Sequence, residues 1–224
     1  MKVKHIYKVI LFLFLYSPLV FSQNEITFNF TQNDSVVKYF HMVAKGSEFG
    51  TFDGYCKYYE DIRVYVFDQK NTDFLNELDS IIKELNGVID GLEIYLVNDI
   101  KDANLLVHFK SESNLRSYHD YYENYFNTRV SKNSRIVGLA HSVFYIDSYS
   151  LPIKKIQRSS IWVSTETSID MMKHALREEF IQAIGLFNDV DLYPNSVFYK
   201  GYSYPTKYDN IDLEVLGMLY NQVK

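Results

Sequence analysis

The sequence predicts an α/β domain. Short β-branched and aromatic runs recur at Arg63 to Phe67, Leu92 to Val97, Ala103 to Phe109, Ile136 to Tyr145 and Ser159 to Val163, and each reads as a strand. Two longer stretches carry apolar residues at helical spacing, and a third, from Ile211 to Tyr220, closes the chain. The resulting order is strand, helix, several strands, helix, loop, helix, the alternation expected of helices packed on a sheet. No linker, repeat or low-complexity tract divides the chain, so about 200 residues beyond the first segment suit one domain with a full-sized core.

Residues 1–22 place Lys2, Lys4 and Lys8 before the apolar run Val9 to Leu15, then Val20-Phe21-Ser22 before Gln23. That order is a secretory signal peptide with cleavage near Ser22, and it sets the expected location as periplasmic or secreted. A membrane anchor competes, but the apolar run falls short of about 18 residues and Ser17-Pro18 interrupts it. Residues 23–60 read as an irregular lead-in with one strand at Ile26 to Phe30, and residues 61–224 as the main domain. Within that domain Phe74, Leu75, Leu78, Ile81, Ile82 and Leu85 mark the first helix, with Gly87 as its stop. Ser111 to Val130, rich in Tyr, Asn and charge, reads as a long connection with some helix.

Charge and cysteine content narrow the partners. The formal net charge of −5 becomes −8 once the three leader lysines are lost, and no basic cluster offsets it, which argues against nucleic acid. Cys56 is the only cysteine, so no internal disulfide forms; a buried, inert thiol is the main reading and a bridge between chains the lesser one. Stability must come from packing, which 20 Tyr and 16 Phe can supply.

The second helix starts at Ser168, a good N-cap, with Asp170 in its first turn, and is expected to end at Gly185. At about 100° per residue, Ile169, Met172, Leu176, Phe180 and Ala183 form a core stripe. His174, Glu178 and Gln182 follow at i, i+4, i+8 on the opposite face. Side chains one turn apart can converge on an ion, yet a solvated polar face has the same spacing, so both readings stand.

The segment Glu178-Glu179-Phe180-Ile181-Gln182-Ala183-Ile184-Gly185-Leu186-Phe187-Asn188-Asp189 resembles the metzincin zinc motif H-E-x-x-H-x-x-G-x-x-H with every histidine replaced. Glu178, Gln182 and Asn188 stand at the ligand positions, Glu179 at the general base and Gly185 at the turn toward the third ligand. Ser196-Val197-Phe198-Tyr199 falls where that family has its Met-turn, with Phe198 in the methionine position. Asp212 to Tyr220 matches the closing helix of matrix-metalloprotease-like domains, D-[IL]-x-x-[IL]-x-x-L-Y. The combination E-E-x-x-Q-x-x-G-L-x-N-D also resembles a zincin-like family of secreted bacterial proteins without a known function, which would make the missing histidines a family trait. The resemblance implies an α/β (α+β) fold of zincin-like, metzincin type: a mixed, mainly parallel sheet, an active-site-type helix beneath it and a small C-terminal helical subdomain.

The altered site changes the chemistry. A zinc peptidase needs three protein ligands and an open position for an acidified water, and amide oxygens are weak zinc ligands. Glu178, Gln182 and Asn188, with Asp189, make an oxygen set better matched to calcium or magnesium. Zinc or another divalent metal is therefore possible but disfavoured, and no cofactor is the expectation. Glu179 reads as a general base only if a metal acidifies its water; otherwise it is a structural carboxylate. Gln182, Asn188 and Asp189 have a structural reading too, as hydrogen-bonding groups in the metal's place. His174 permits a shifted site with Glu178 and Gln182, while His41, His108, His119 and His141 are scattered. Tyr118, Tyr121, Tyr122, Tyr125 and Phe126 either rim a cleft or pack on the sheet.

The leading expectation is an exported pseudo-peptidase that binds a peptide or protein in its retained cleft, without a stable membrane anchor. Extended substrate pairs with an edge strand in active relatives, and Ile136 to Tyr145 is the candidate. A metal-dependent hydrolase with Glu179 as base and a structural envelope protein with a filled cleft are the alternatives.

Overall fold

Alternating β-branched and aromatic residues build the sheet, and the computed structural model describes it within residues 33–46, 53–67, 72–118, 137–144 and 153–221. Strands β1 (Cys56–Lys57), β2 (Ile62–Val66), β3 (Ile94–Leu96), β4 (Leu105–Lys110), β5 (Gly138–Phe144) and β6 (Lys154–Ser164) form it. The order β1-β6-β4-β2-β3 is parallel throughout, and β5 adds antiparallel to β6. Period-two alternation buries Ile62, Val64, Leu105, Val107, Ile161 and Val163 on one face. The other face carries rings stacked across three strands, Phe67 on His108 at 4.2 Å and His108 on Trp162 at 5.0 Å.

Helices α2 (Thr72–Asn86) and α3 (Ile169–Ala183) contact each other, α2 also meets β3, and α3 also meets β5 and β6. The apolar stripe expected of the first helix is present: Phe74, Leu78, Ile81, Ile82 and Leu85 are buried and Leu75 packs partly against the core. The chain ends in α4 (Asn210–Asn221), after a loop that follows α3. This is the mixed, mainly parallel sheet with a motif helix and a C-terminal helix that the sequence leads one to expect. Among the described residues, no helix is long and apolar enough to cross a membrane.

Four differences have physical reasons. Part of the lead-in is helical: α1 (Asp34–Ala44) buries Tyr39, Phe40, Val43 and Ala44, and Asn33 caps it by accepting from the Ser35 amide at 3.1 Å. Its apolar positions 36, 37, 40, 43 and 44 have helical spacing, hidden by brevity and by the polar residues between them. Strand β1 is two residues long, too short to show a pattern, yet Cys56 and Lys57 pair with Lys154 and Lys155. Strand β6 begins at Lys154, because Lys154 to Arg158 are ladder residues of polar composition. Ile169 is 44% exposed and leaves the core stripe of α3, which Met172, Leu176, Phe180 and Ala183 maintain.

The connection after β4 is helical over residues 112–118. Tyr118 lies 3.9 Å from Trp162 between ring centroids, so that member of the tyrosine cluster packs on the sheet. The other members, the candidate strand Ile26 to Phe30 and residues 1–22 lie outside the described residues.

Candidate functional site

Three local devices fix α3. Ser168 caps it as expected, its hydroxyl accepting from the Met171 amide at 3.3 Å. At the far end Gly185 has φ +127°, and a Cβ there would collide with the Cys56 carbonyl and approach Leu219 to 2.9 Å, so only glycine fits. Cys56 itself is fully buried, and burial pushes its thiol well up, the inert state expected. Ser159 donates to the Ala183 carbonyl at 2.7 Å, with Ser142 of β5 at 3.2 Å from the same oxygen.

The third device is a buried ion cluster behind the helix. Arg177 is 2% exposed; its Nε donates to Glu77 at 2.6 Å, and its two terminal nitrogens donate to Glu84 at 2.9 and 3.0 Å. Tyr208 lies under the guanidinium at 5.0 Å and donates to the Arg177 carbonyl at 2.8 Å. The sequence reading missed this cluster because its members are about 100 residues apart; a single arginine inside a helical core pattern was the only available sign.

The front of the helix carries the positions that the resemblance equates with ligands, and each has a different intramolecular partner. Glu178 faces His174 Nε2 at 3.4 Å, while Nδ1 of the same ring donates to the Pro205 carbonyl at 3.2 Å. With the proton of Nδ1 committed to Pro205, Nε2 and the Glu178 carboxyl attract only with a second proton between them. Burial lowers the His174 pKa, with the Pro205 hydrogen bond opposing. His174 is only 7% exposed, so the polar row is not a solvated face. One turn on, Gln182 donates from Nε2 to Asp189 at 2.9 Å. Asn188 turns away to the end of α1: Nδ2 lies 2.9, 3.2 and 3.4 Å from the carbonyls of Lys45, Met42 and Val43, and the Asn188 amide donates to Val43 at 3.1 Å.

Glu179, at the base position, is 8% exposed and lies against β5: a Cβ on Gly138 would come within 2.5 Å of its Oε1. Gly138, Ala140 and Ser142 alternate along one face of β5, and small residues there let the strand lie directly on α3. A period-two run of Gly, Ala and Ser was the signal in the sequence, and it went unread.

Hydrogen bonds join the turn at Ser196 to the closing helix. Ser196 donates to Asp212 Oδ1 at 2.5 Å, the amides of Val197 and Asp209 donate to Oδ2 at 3.1 and 2.9 Å, and Tyr39 of α1 lies 2.7 Å from Ser196 Oγ. Phe198 is fully buried, and its amide donates to Ser196 Oγ at 3.0 Å. Tyr220 donates to the Ile184 carbonyl at 2.7 Å, tying α4 to the end of α3.

A family model described as "Protein of unknown function (DUF2927)" matches residues 33–223. The chain belongs to that family. No curated protein is significantly similar to it. Among solved structures, it is similar to a "Crystal structure of myroilysin" at 10% identity and a TM-score of 0.46, covering 79% of this chain and 91% of that one. A second myroilysin structure gives 12% identity and 0.38, covering 73% and 93%. A hatching enzyme zinc-protease, high choriolytic enzyme 1 from Oryzias latipes (medaka fish), gives 10% and 0.40, covering 75% and 96%. At these values the likeness brings no chemistry to this chain.

The residues at the three ligand positions, Glu178, Gln182 and Asn188, do not fit a zinc ion as a set. None of the three ligand positions offers an imidazole, and the amides of Gln182 and Asn188 donate to protein oxygens on different elements. Among the described residues, no three His, Cys, Asp or Glu side chains are grouped so as to hold a metal.

Proposed function

We propose that this protein is an exported, zincin-like binding protein: it holds an extended peptide or protein segment along β5 and does not cleave it through a metal. The observation that carries the reading is the separation of the three ligand positions, with Glu178 on His174, Gln182 on Asp189 and Asn188 on α1. A hydrolytic water has no acidifying centre in that arrangement, which leaves Glu179 without a proton to take. β5 is the antiparallel member at the β6 side of the sheet, and among the described residues it pairs only with β6. An outer strand edge of that kind recognises extended backbone by adding a strand.

The test has two arms. Labelled extended peptides are expected to bind, and backbone N-methylation at alternate residues is expected to abolish binding, because strand addition needs those N–H groups. Protein purified without chelator is expected to hold no stoichiometric zinc, and Glu179→Gln to leave background peptide hydrolysis unchanged. One zinc per chain, together with turnover lost in Glu179→Gln, would establish the hydrolase instead. Indifference to N-methylation would remove β5 as the binding edge.

A further inference from the structure

The side chain at the third ligand position commits its amide nitrogen to the carbonyls at the end of α1. We infer that α1 takes the place of the metal: Asn188 is the C-terminal cap of α1, and this contact, in place of coordination, fixes the turn beyond Gly185. This holds whether or not β5 takes a peptide.

The last carbonyls of an α-helix have no partner within the helix. In α1 the Lys45 amide satisfies the His41 carbonyl, and the carbonyls of Met42, Val43 and Lys45 then converge on Asn188 Nδ2 at 3.2, 3.4 and 2.9 Å. The Asn188 backbone amide adds a further bond to Val43 at 3.1 Å. The group that suits this cluster is a neutral N–H donor. A ligand role would instead call on the other end of the amide, the acceptor Oδ1, aimed at a cation. The rest of α1 is anchored on the same side of the molecule: Tyr39 reaches Ser196, its ring packs edge-on to Tyr193 at 4.8 Å, and Tyr193 has φ +55° in the loop that follows. The segment from Asn188 to Ser196 is thus held to α1 at both ends.

Donor and ligand roles predict opposite orders for two substitutions. Asn188→Ala removes the cap and is expected to lower Tm by about 3 to 6 °C. Asn188→Asp puts a carboxylate against three carbonyls at the negative end of a helix dipole, so in chelator it should melt below Asn188→Ala. A ligand role predicts the reverse, because aspartate is the better ligand: Asn188→Asp would be raised above the wild type by zinc or calcium. The inference is overturned if Asn188→Asp is at least as stable as Asn188→Ala in chelator, or if either ion lifts it above the wild type. Should either variant fail to fold, hydrogen exchange of the wild type decides. Protection of residues 40–46 and 188–190 is expected to be equal in chelator and in zinc, and slower exchange in zinc would overturn the inference.

Discussion

The two sides of α3 are held by opposite chemistry. Behind it, Arg177 is buried against two carboxylates, Glu77 at 8% and Glu84 at 34% side-chain exposure. On the other side, the amides of Gln182, on α3, and of Asn188, in the turn beyond it, donate to the Asp189 carboxylate and to the end of α1. A buried charge cluster tolerates little loss, since removing one member leaves another uncompensated in a low-dielectric setting. An amide pair at partial exposure can exchange its bond for one to water at small cost. The helix therefore takes its position more from the Arg177 cluster than from the Gln182 contact.

The largest expected effect is on the rear side. Arg177→Ala should destabilise by about 3 kcal/mol, because buried Glu77 is then left with only the Lys173 ammonium, 3.7 Å away and 36% exposed. Chemical denaturation measures this directly. Adding Glu77→Gln to that variant should recover part of the loss, since the under-compensated charge is then gone. A loss under about 1 kcal/mol in the single variant would break the comparison and make the cluster incidental.

How much of this was legible follows sequence distance. Gly185, Asp212 and Tyr220 were readable because a glycine in a helix-to-turn junction and a short closing pattern leave local marks. The structure gives each a contact, with Cys56, Ser196 and Ile184 respectively. The partners of Arg177 and Asn188 were not readable. Glu77 lies 100 residues away and Val43 145 residues away, and nothing in composition joins them. The lead-in hid α1 altogether, and with it the reason for an asparagine at position 188. His174 was read as a solvated or ligating residue, yet burial among Pro205, Glu178 and Tyr204 depends on a loop whose path has no periodicity.

An intermediate effect belongs to Asp212, whose carboxyl joins α4 to the turn at Ser196. Burial pushes its pKa up to about 6 from 3.8, with hydrogen bonds from Ser196, Asp209 and Val197 opposing. The folded state then binds more protons than the unfolded one between about pH 4 and pH 6, so this group's contribution falls as pH rises through that window, by about 2 to 3 kcal/mol, and is flat above it. His41, His141 and His174 act in the opposite sense, since burial lowers their pKa values and favours folding as pH rises. The measurement is therefore the difference in stability between wild type and Asp212→Asn, in which the histidine contributions cancel. Asparagine can still accept from Val197 and Asp209 and donate to Ser196, so the variant should fold. A difference that does not change between pH 4 and pH 6.5 would show that the three donors fully offset burial.

The smallest expected effect is on the front of α3, and it sharpens the contrast most. Gln182→Ala removes one amide contact, to Asp189, from a half-buried site. Its cost should be about 0.5 to 1.5 kcal/mol, the range of an ordinary hydrogen bond, because water can reach the Asp189 carboxylate once the amide is gone. A metal-bearing site would behave otherwise, since a lost ligand would release the ion and its binding energy together. The comparison therefore rests on a ratio: Arg177→Ala should cost at least twice as much as Gln182→Ala, with zinc changing neither value. Equal costs would mean that the row of His174, Glu178 and Gln182 positions the helix as strongly as the charge cluster does.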